Sequence, residues 1–201
     1  TTSGNASSAL VVQSIGGGGG IVSLTTGRVI ELGGQELVNA TAGNIALNNE
    51  GDLTSTGSNA PLLMVQSIGG GGGFTTMTGD GIISTPVIFG AQRSSNLDGG
   101  DISIQNSGLL RSLGTSSSGM IVQSIGGGGG NIRTIDGNDV ANNVSLGGVE
   151  LNDAAGGEIS VVNNGSLILT EGNYARPLLI QSIGGGGGWF AGGVTTNTLT
   201  L

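Results

Sequence analysis

Apolar and polar residues alternate along this chain in short stretches that end at an Asn-x-Gly break. The unit I-x-[LIV]-x-N-x-G-x-L occurs as IALNNEGDL at 45–53, ISIQNSGLL at 102–110 and ISVVNNGSL at 159–167. A period of two with Asn and Gly punctuation predicts short strands joined by tight turns. Asn tolerates left-handed backbone and Gly enters it freely, so both suit corners. A second pattern differs. In ALVVQSI (9–15), LLMVQSI (62–68), GMIVQSI (119–125) and PLLIQSI (177–183), both parities are apolar before the Gln. Such a strand predicts cover on both faces. The cover is a loop of the same chain, a flanking layer, or another molecule. Apolar residues nowhere recur at helical spacing across a Gly-free window of a dozen residues, so the chain reads as β throughout.

These patterns recur at long range. VQSIGGGGG stands at 12–20, 65–73 and 122–130, and a fourth copy with Ile180 in place of Val runs from 180 to 188. The successive steps between the repeated Gln13, Gln66, Gln123 and Gln181 are 53, 57 and 58. Repeats of this length are the signature of an array that stacks similar units. Gly33, Gly90 and Gly147 each close a short apolar stretch: RVIEL (28–32), TPVIF (85–89) and NNVSL (142–146). Gly33 lies nearer to Gln13 than Gly90 does to Gln66 or Gly147 to Gln123, whereas the distance on to the next repeated Gln is nearly constant. Length variation thus falls after the penta-glycine, which predicts a surface loop there carrying Phe74, Trp189 and Phe190. Thr1 aligns with Thr54 and Gly4 with Gly57, and the chain closes on the alternating TNTLTL (196–201). The expectation is one β-solenoid segment over 1–201, cut at both ends from a longer array. With rungs about 4.8 Å apart, a repeat of about 57 residues looks too long for one rung and is expected to make two or three.

Stacked repeats would set the glutamines in a column, where an amide ladder satisfies donors and acceptors along the axis. Ser14 and its equivalents could satisfy one another likewise; the alternative for these residues is a ligand site. The glycine runs also have two readings. A phosphate cradle needs a helix N-terminus and usually a Lys, and the chain offers neither. Close backbone packing or a flexible corner remains, and the constant length of four copies favours packing.

Composition narrows the chemistry. Of 201 residues 44 are Gly, in runs rather than at every third position, which excludes collagen. With 36% apolar residues the chain is not compositionally disordered. There is no Lys, His or Cys. That removes the Walker A lysine, Schiff bases, Ser-His-Asp triads, thiol nucleophiles, ordinary zinc sites and disulfides. A net charge of −8 with five scattered Arg argues against a nucleic-acid partner. Apolar runs of about six residues are too short to span a bilayer as a helix. Asp98 and Asp101 flank a Gly pair, and Asp136 and Asp139 flank Gly137 and Asn138, but no tandem calcium-binding nonapeptide occurs. No catalytic, cofactor-binding or metal-ligating residues are assigned, because the thirteen acids are dispersed.

With the four Gln strands and three Asn-x-Gly units in view, the chain resembles the passenger region of large bacterial autotransporter adhesins. Those passengers are rich in strings close to I-V-x-Q-S-I-G-G-G-G-G alternating with N-x-G-x-[LI] turns. The resemblance implies a right-handed parallel β-helix in repeats of about 57 residues. It also implies a place outside the outer membrane and export through a C-terminal β-barrel. This sequence contains no barrel segment or signal peptide, and many relatives continue with further Gly-Asn-Gly. The implied function is a non-enzymatic cell-surface stalk or adhesin segment whose partners are other solenoid chains or the surfaces of host or neighbouring cells. The alternative is a self-assembling extracellular fibre or sheath with lateral contacts through the doubly apolar strand.

Overall fold

The computed structural model describes residues 1–25, 30–78, 87–134, 139–140, 144–148, 150–164, 168–191, 193–194 and 199–200. Among them every regular element is a β-strand, and all strand pairs are parallel. The strands form stacked sheets, an arrangement compatible with a β-solenoid.

Each repeat supplies one strand to each main sheet. The glutamine sheet joins Leu10–Ile15, Leu63–Ile68, Met120–Ile125 and Leu178–Ile183 in chain order. Its register sets Gln13 against Gln66, Gln66 against Gln123 and Gln123 against Gln181. The glycine sheet follows, built from Gly19–Thr25, Gly72–Thr78, Gly129–Thr134 and Gly187–Ala191. A further sheet holds Ile30–Leu32, Val87–Phe89, Val144–Leu146 and Leu199–Thr200. The asparagine sheet joins Ile45–Asn49, Ile102–Asn106 and Ile159–Asn163. A last sheet of three-residue strands, Leu53–Ser55, Leu110–Ser112 and Ile168–Thr170, leads back to the glutamine sheet.

The expected two or three rungs per repeat are therefore corrected. Every strand pairs with its counterpart in the next repeat, so a repeat lays down one layer. The long circuit fits because the glutamine strand runs through the interior. On one face Leu63, Val65, Met120 and Val122 pack with Ile45, Ile102, Ile104 and Leu110. On the other, Met64 and Ile121 pack with Phe74, and Val11, Leu179 and Trp189 lie against them. All six residues of Leu63–Ile68 and of Met120–Ile125 are buried. The cover foreseen from the two apolar parities is thus flanking layers of the same chain, and in the inner repeats no face of this strand is left for lateral contact. Each buried aliphatic side chain contributes on the order of 1.5–3 kcal/mol, so this sandwich is the main apolar core.

The surface loop expected directly after the penta-glycine is also corrected. Gly72–Thr78 is a strand paired on both sides, and Phe74, Thr75 and Thr76 are buried. Thr25 pairs with Thr78, whereas Ile30 pairs with Val87. The length difference between the first two repeats therefore falls between these pairs, at 26–29 and 79–86, outside the described residues. The start of RVIEL, TPVIF and NNVSL, Gly165 of the third Asn-x-Gly unit, and most of TNTLTL also lie outside them.

Among the described residues, three corners of the circuit use left-handed backbone at non-glycine residues, in register from repeat to repeat. One is Ala6, Asn59, Ser116 and Tyr174, with φ 58, 56, 55 and 59°. The others are Glu36, Arg93 and Glu150 at 55, 50 and 56°, and Asn39, Asn96 and Asp153 at 57, 52 and 54°. Such conformations cost about 1–2 kcal/mol each for a residue with a Cβ, which the inter-layer hydrogen bonds on either side offset. Glu36 N donates to Gln92 O at 2.9 Å, and Asn39 N to Ser95 O at 3.1 Å.

Candidate functional site

The repeated polar residues form columns that run along the stack. Gln13 Nε2 donates to Gln66 Oε1, Gln66 to Gln123 and Gln123 to Gln181, each at 2.7 Å. Gln66 and Gln123 are fully buried. Gln66 follows Met64 by two residues and shares its face, so the ladder lies between the glutamine and glycine sheets. The column expected from the sequence is present, and its neighbours are consecutive repeats. A buried amide left without a partner would cost about 1–3 kcal/mol; here each inner glutamine both donates to and accepts from its neighbours.

The serine one residue later points to the opposite face and makes a different column. Ser14 Oγ accepts from Gly43 N at 2.8 Å. Ser67 Oγ donates to Gly43 O at 3.0 Å and accepts from Gly100 N at 2.8 Å. Ser124 Oγ repeats this with Gly100 O at 2.9 Å and Gly157 N at 2.8 Å, and Ser182 Oγ donates to Gly157 O at 2.8 Å. The serines do not satisfy one another, as the sequence had suggested. They stitch the glutamine sheet to the approach of the asparagine sheet, one repeat to the next.

The Asn-x-Gly unit has a double use. Asn49 Nδ2 donates to Gly51 O at 2.8 Å, closing its own corner, and to Asn106 Oδ1 at 2.6 Å in the next repeat. Asn106 does the same with Gly108 O at 2.8 Å and Asn163 Oδ1 at 2.7 Å. Other side chains reach one repeat ahead to a backbone amide. Asp52 Oδ1 accepts from Leu109 N, Asn44 Oδ1 from Asp101 N, Asp98 Oδ1 from Ala155 N and Asp101 Oδ1 from Glu158 N, each at 2.8 Å. The carboxylates weighed as calcium ligands, Asp98 and Asp101, are thus engaged on backbone N–H groups. Asp136 lies outside the described residues.

The penta-glycines pack backbone on backbone. Gly70 and Gly71 have φ 79 and 94°. A Cβ built on Gly71 would stand 2.5 Å from Gly18 O and 2.5 Å from Gly33 Cα. A Cβ on Gly186 would stand 2.5 Å from Gly147 Cα, and one on Gly128 would clash with Gly90 Cα. The glycine columns read separately in the sequence, the penta-glycines and Gly33, Gly90 and Gly147, therefore face each other.

A shallow depression of about 250 Å³ on the asparagine sheet is lined by Ala46, Leu47, Asn48, Ser103 and Gln105 and contains no acid or base. No cluster of three metal-binding side chains occurs among the described residues. Arg93 stands over Glu150 at 3.5 Å and Arg111 near Glu171 at 3.4 Å, both pairs solvent-exposed. Trp189, expected in a loop, lies in a glycine-sheet strand with the Arg176 guanidinium 5.2 Å from its ring. The serine stitches, the Asn96–Asn39 bond at 2.8 Å and the left-handed corners went unread in the sequence. Only the spacing of Ser67 from Gly43 and Gly100 could have signalled the stitches. Comparison with protein-family models, with curated proteins and with solved structures found no match.

Proposed function

We propose that this chain is a structural segment of an extracellular, autotransporter-like passenger. In this reading it is a right-handed parallel β-helix that advances one turn per repeat of about 57 residues. It serves as a non-enzymatic stalk or adhesin segment on the bacterial surface. The supporting observation is the set of continuous polar ladders, with the glutamine column at its centre. Buried side-chain amides fix which residue sits on which, because a slipped register leaves donors unpaired. Such close control of register, with no cluster of catalytic groups among the described residues, suits a rigid support. The resemblance set out above supports the location.

Protease shaving of intact cells, followed by electron microscopy of the released material, tests this reading. Isolated rods in the shaved fraction are expected. Chain found only inside cells refutes the surface location, and ordered side-by-side bundles favour the self-assembling fibre instead.

A further inference from the structure

The chain carries four Asn-x-Ser/Thr sequences, at Asn5, Asn39, Asn143 and Asn164. The last two include positions outside the described residues. Such a sequence marks a possible acceptor for sugar on the asparagine amide only where it is exposed, so the geometry has to separate these sites from chance matches. Asn5-Ala6-Ser7 and Asn39-Ala40-Thr41 both span a left-handed corner, with φ 58° at Ala6 and 57° at Asn39. Asn5 and Ser7 are exposed, and Asn5 Oδ1 accepts from Ser58 N at 3.1 Å. The two sites differ in what the hydroxyl does. Ser7 Oγ turns back onto Asn5 O at 3.4 Å. At Asn39 both the asparagine and Thr41 are exposed. Asn39 Oδ1 accepts from Asn96 Nδ2 at 2.8 Å, which fixes the amide plane. Asn39 Nδ2 has no hydrogen-bond partner among the described residues.

The backbone beneath is held firmly. Asn39 N donates to Ser95 O at 3.1 Å, Ala42 N to Asp98 O at 2.9 Å, and Ala40 O accepts from Gly70 N at 3.1 Å. The corner thus presents a hydrogen-bonded amide and an exposed hydroxyl residue on a rigid base. The equivalents, Asn96-Leu97-Asp98 and Asp153-Ala154-Ala155, lack the hydroxyl, so this sequence is not imposed by the repeat.

We propose that Asn39 is a glycosylation site, modified on Nδ2 by a transferase that uses a phosphate-activated sugar. The bond between the sugar's anomeric carbon and the phosphate oxygen breaks, and its electron pair leaves with the phosphate. The Nδ2–carbon bond forms, and the displaced amide proton passes through the transferase to the medium. No oxidation state changes. A nucleotide-linked and a lipid-linked donor share this chemistry. The proposal rests on the surface reading above, since such sugars decorate exported chains.

The test is peptide mass mapping of the chain from the cells that make it. With no Lys, trypsin cuts after Arg28 and Arg93 and isolates Asn39 from the other three sites in peptide 29–93. This peptide is expected to be heavier by one or more whole sugar residues. The added mass should vanish in Asn39→Gln and in Thr41→Ala and persist in Thr41→Ser, which keeps the hydroxyl. Membrane and cytosolic extracts of the host, each incubated with the unmodified protein, distinguish a lipid-linked from a nucleotide-linked donor. An unmodified peptide 29–93, in whichever cell fraction holds the chain, overturns the proposal. Shaving of intact cells decides the surface location separately.

Discussion

Replacing Gly71 by alanine tests close packing of the glycine columns, and the first repeat supplies a control within the same fold. Gly71 and Gly18 occupy equivalent positions with nearly the same backbone, at φ 94 and 96°. Their surroundings differ. A Cβ on Gly18 meets nothing within 4 Å, whereas one on Gly71 is 2.5 Å from both Gly18 O and Gly33 Cα. Gly18→Ala therefore incurs the left-handed backbone penalty alone, about 1–2 kcal/mol. Gly71→Ala incurs the same penalty and also forces two backbones apart, adding about 1–3 kcal/mol of overpacking. Backbone atoms cannot rotate away as a side chain can, so the upper half of that range applies. Urea unfolding of the two variants, read by far-ultraviolet circular dichroism, should give a difference of about 2–3 kcal/mol between them. Equal losses in the two proteins would show that the runs act through conformation only and that the columns do not touch.

Further expectations follow from the ladders and the buried amides. Gln66→Leu orphans both Gln13 Nε2 and Gln123 Oε1, so a loss of about 2–5 kcal/mol is expected. Gln13→Leu orphans only Gln66 Oε1, and a loss as large as that of Gln66→Leu in denaturant titrations would contradict the ladder. Asn131 is fully buried, its amide has no hydrogen-bond partner among the described residues, and it pairs with Phe74 and Trp189. Asn131→Ile should raise stability by about 1–3 kcal/mol; a lower unfolding midpoint would mean that the amide has a partner. Inserting one residue between Ile104 and Asn106 should abolish cooperative unfolding, because it turns Asn106 from the buried face to solvent. Glu171→Ala should shift the stability by no more than about 0.5 kcal/mol, as its pairing with Arg111 is exposed.

Local β character, the Asn-x-Gly corners, the glutamine column and the packed glycines were legible because each rests on a short-range rule that repeats. The layer count was not. The expectation of several rungs treated a repeat as a perimeter around one core, whereas Leu63–Ile68 runs inside, with core on both sides. The pairing steps were already printed in the spacing of Gln13, Gln66, Gln123 and Gln181. The strand after the glycines hid for another reason. Its stacked position holds Ile21, Phe74, Asn131 and Trp189, four side chains of different size and polarity. Variation of that kind resembles a loop when burial cannot be seen. The corners at Glu36, Arg93 and Glu150 carry no composition signal, since neither Glu nor Arg favours left-handed backbone.

One layer per repeat also sets how far such a chain can extend. Neighbouring strands in a sheet lie about 4.8 Å apart, so a repeat of about 57 residues advances by little more than the width of one backbone. A rod only about 100 Å tall, built at this spacing, would take about twenty repeats and well over a thousand residues. Height therefore demands a great deal of translated sequence, and what each layer gains is breadth. A broad cross-section with two internal cores resists bending and shear between layers. On the proposed reading as a surface support, this geometry favours a stiff pillar over a slender tether.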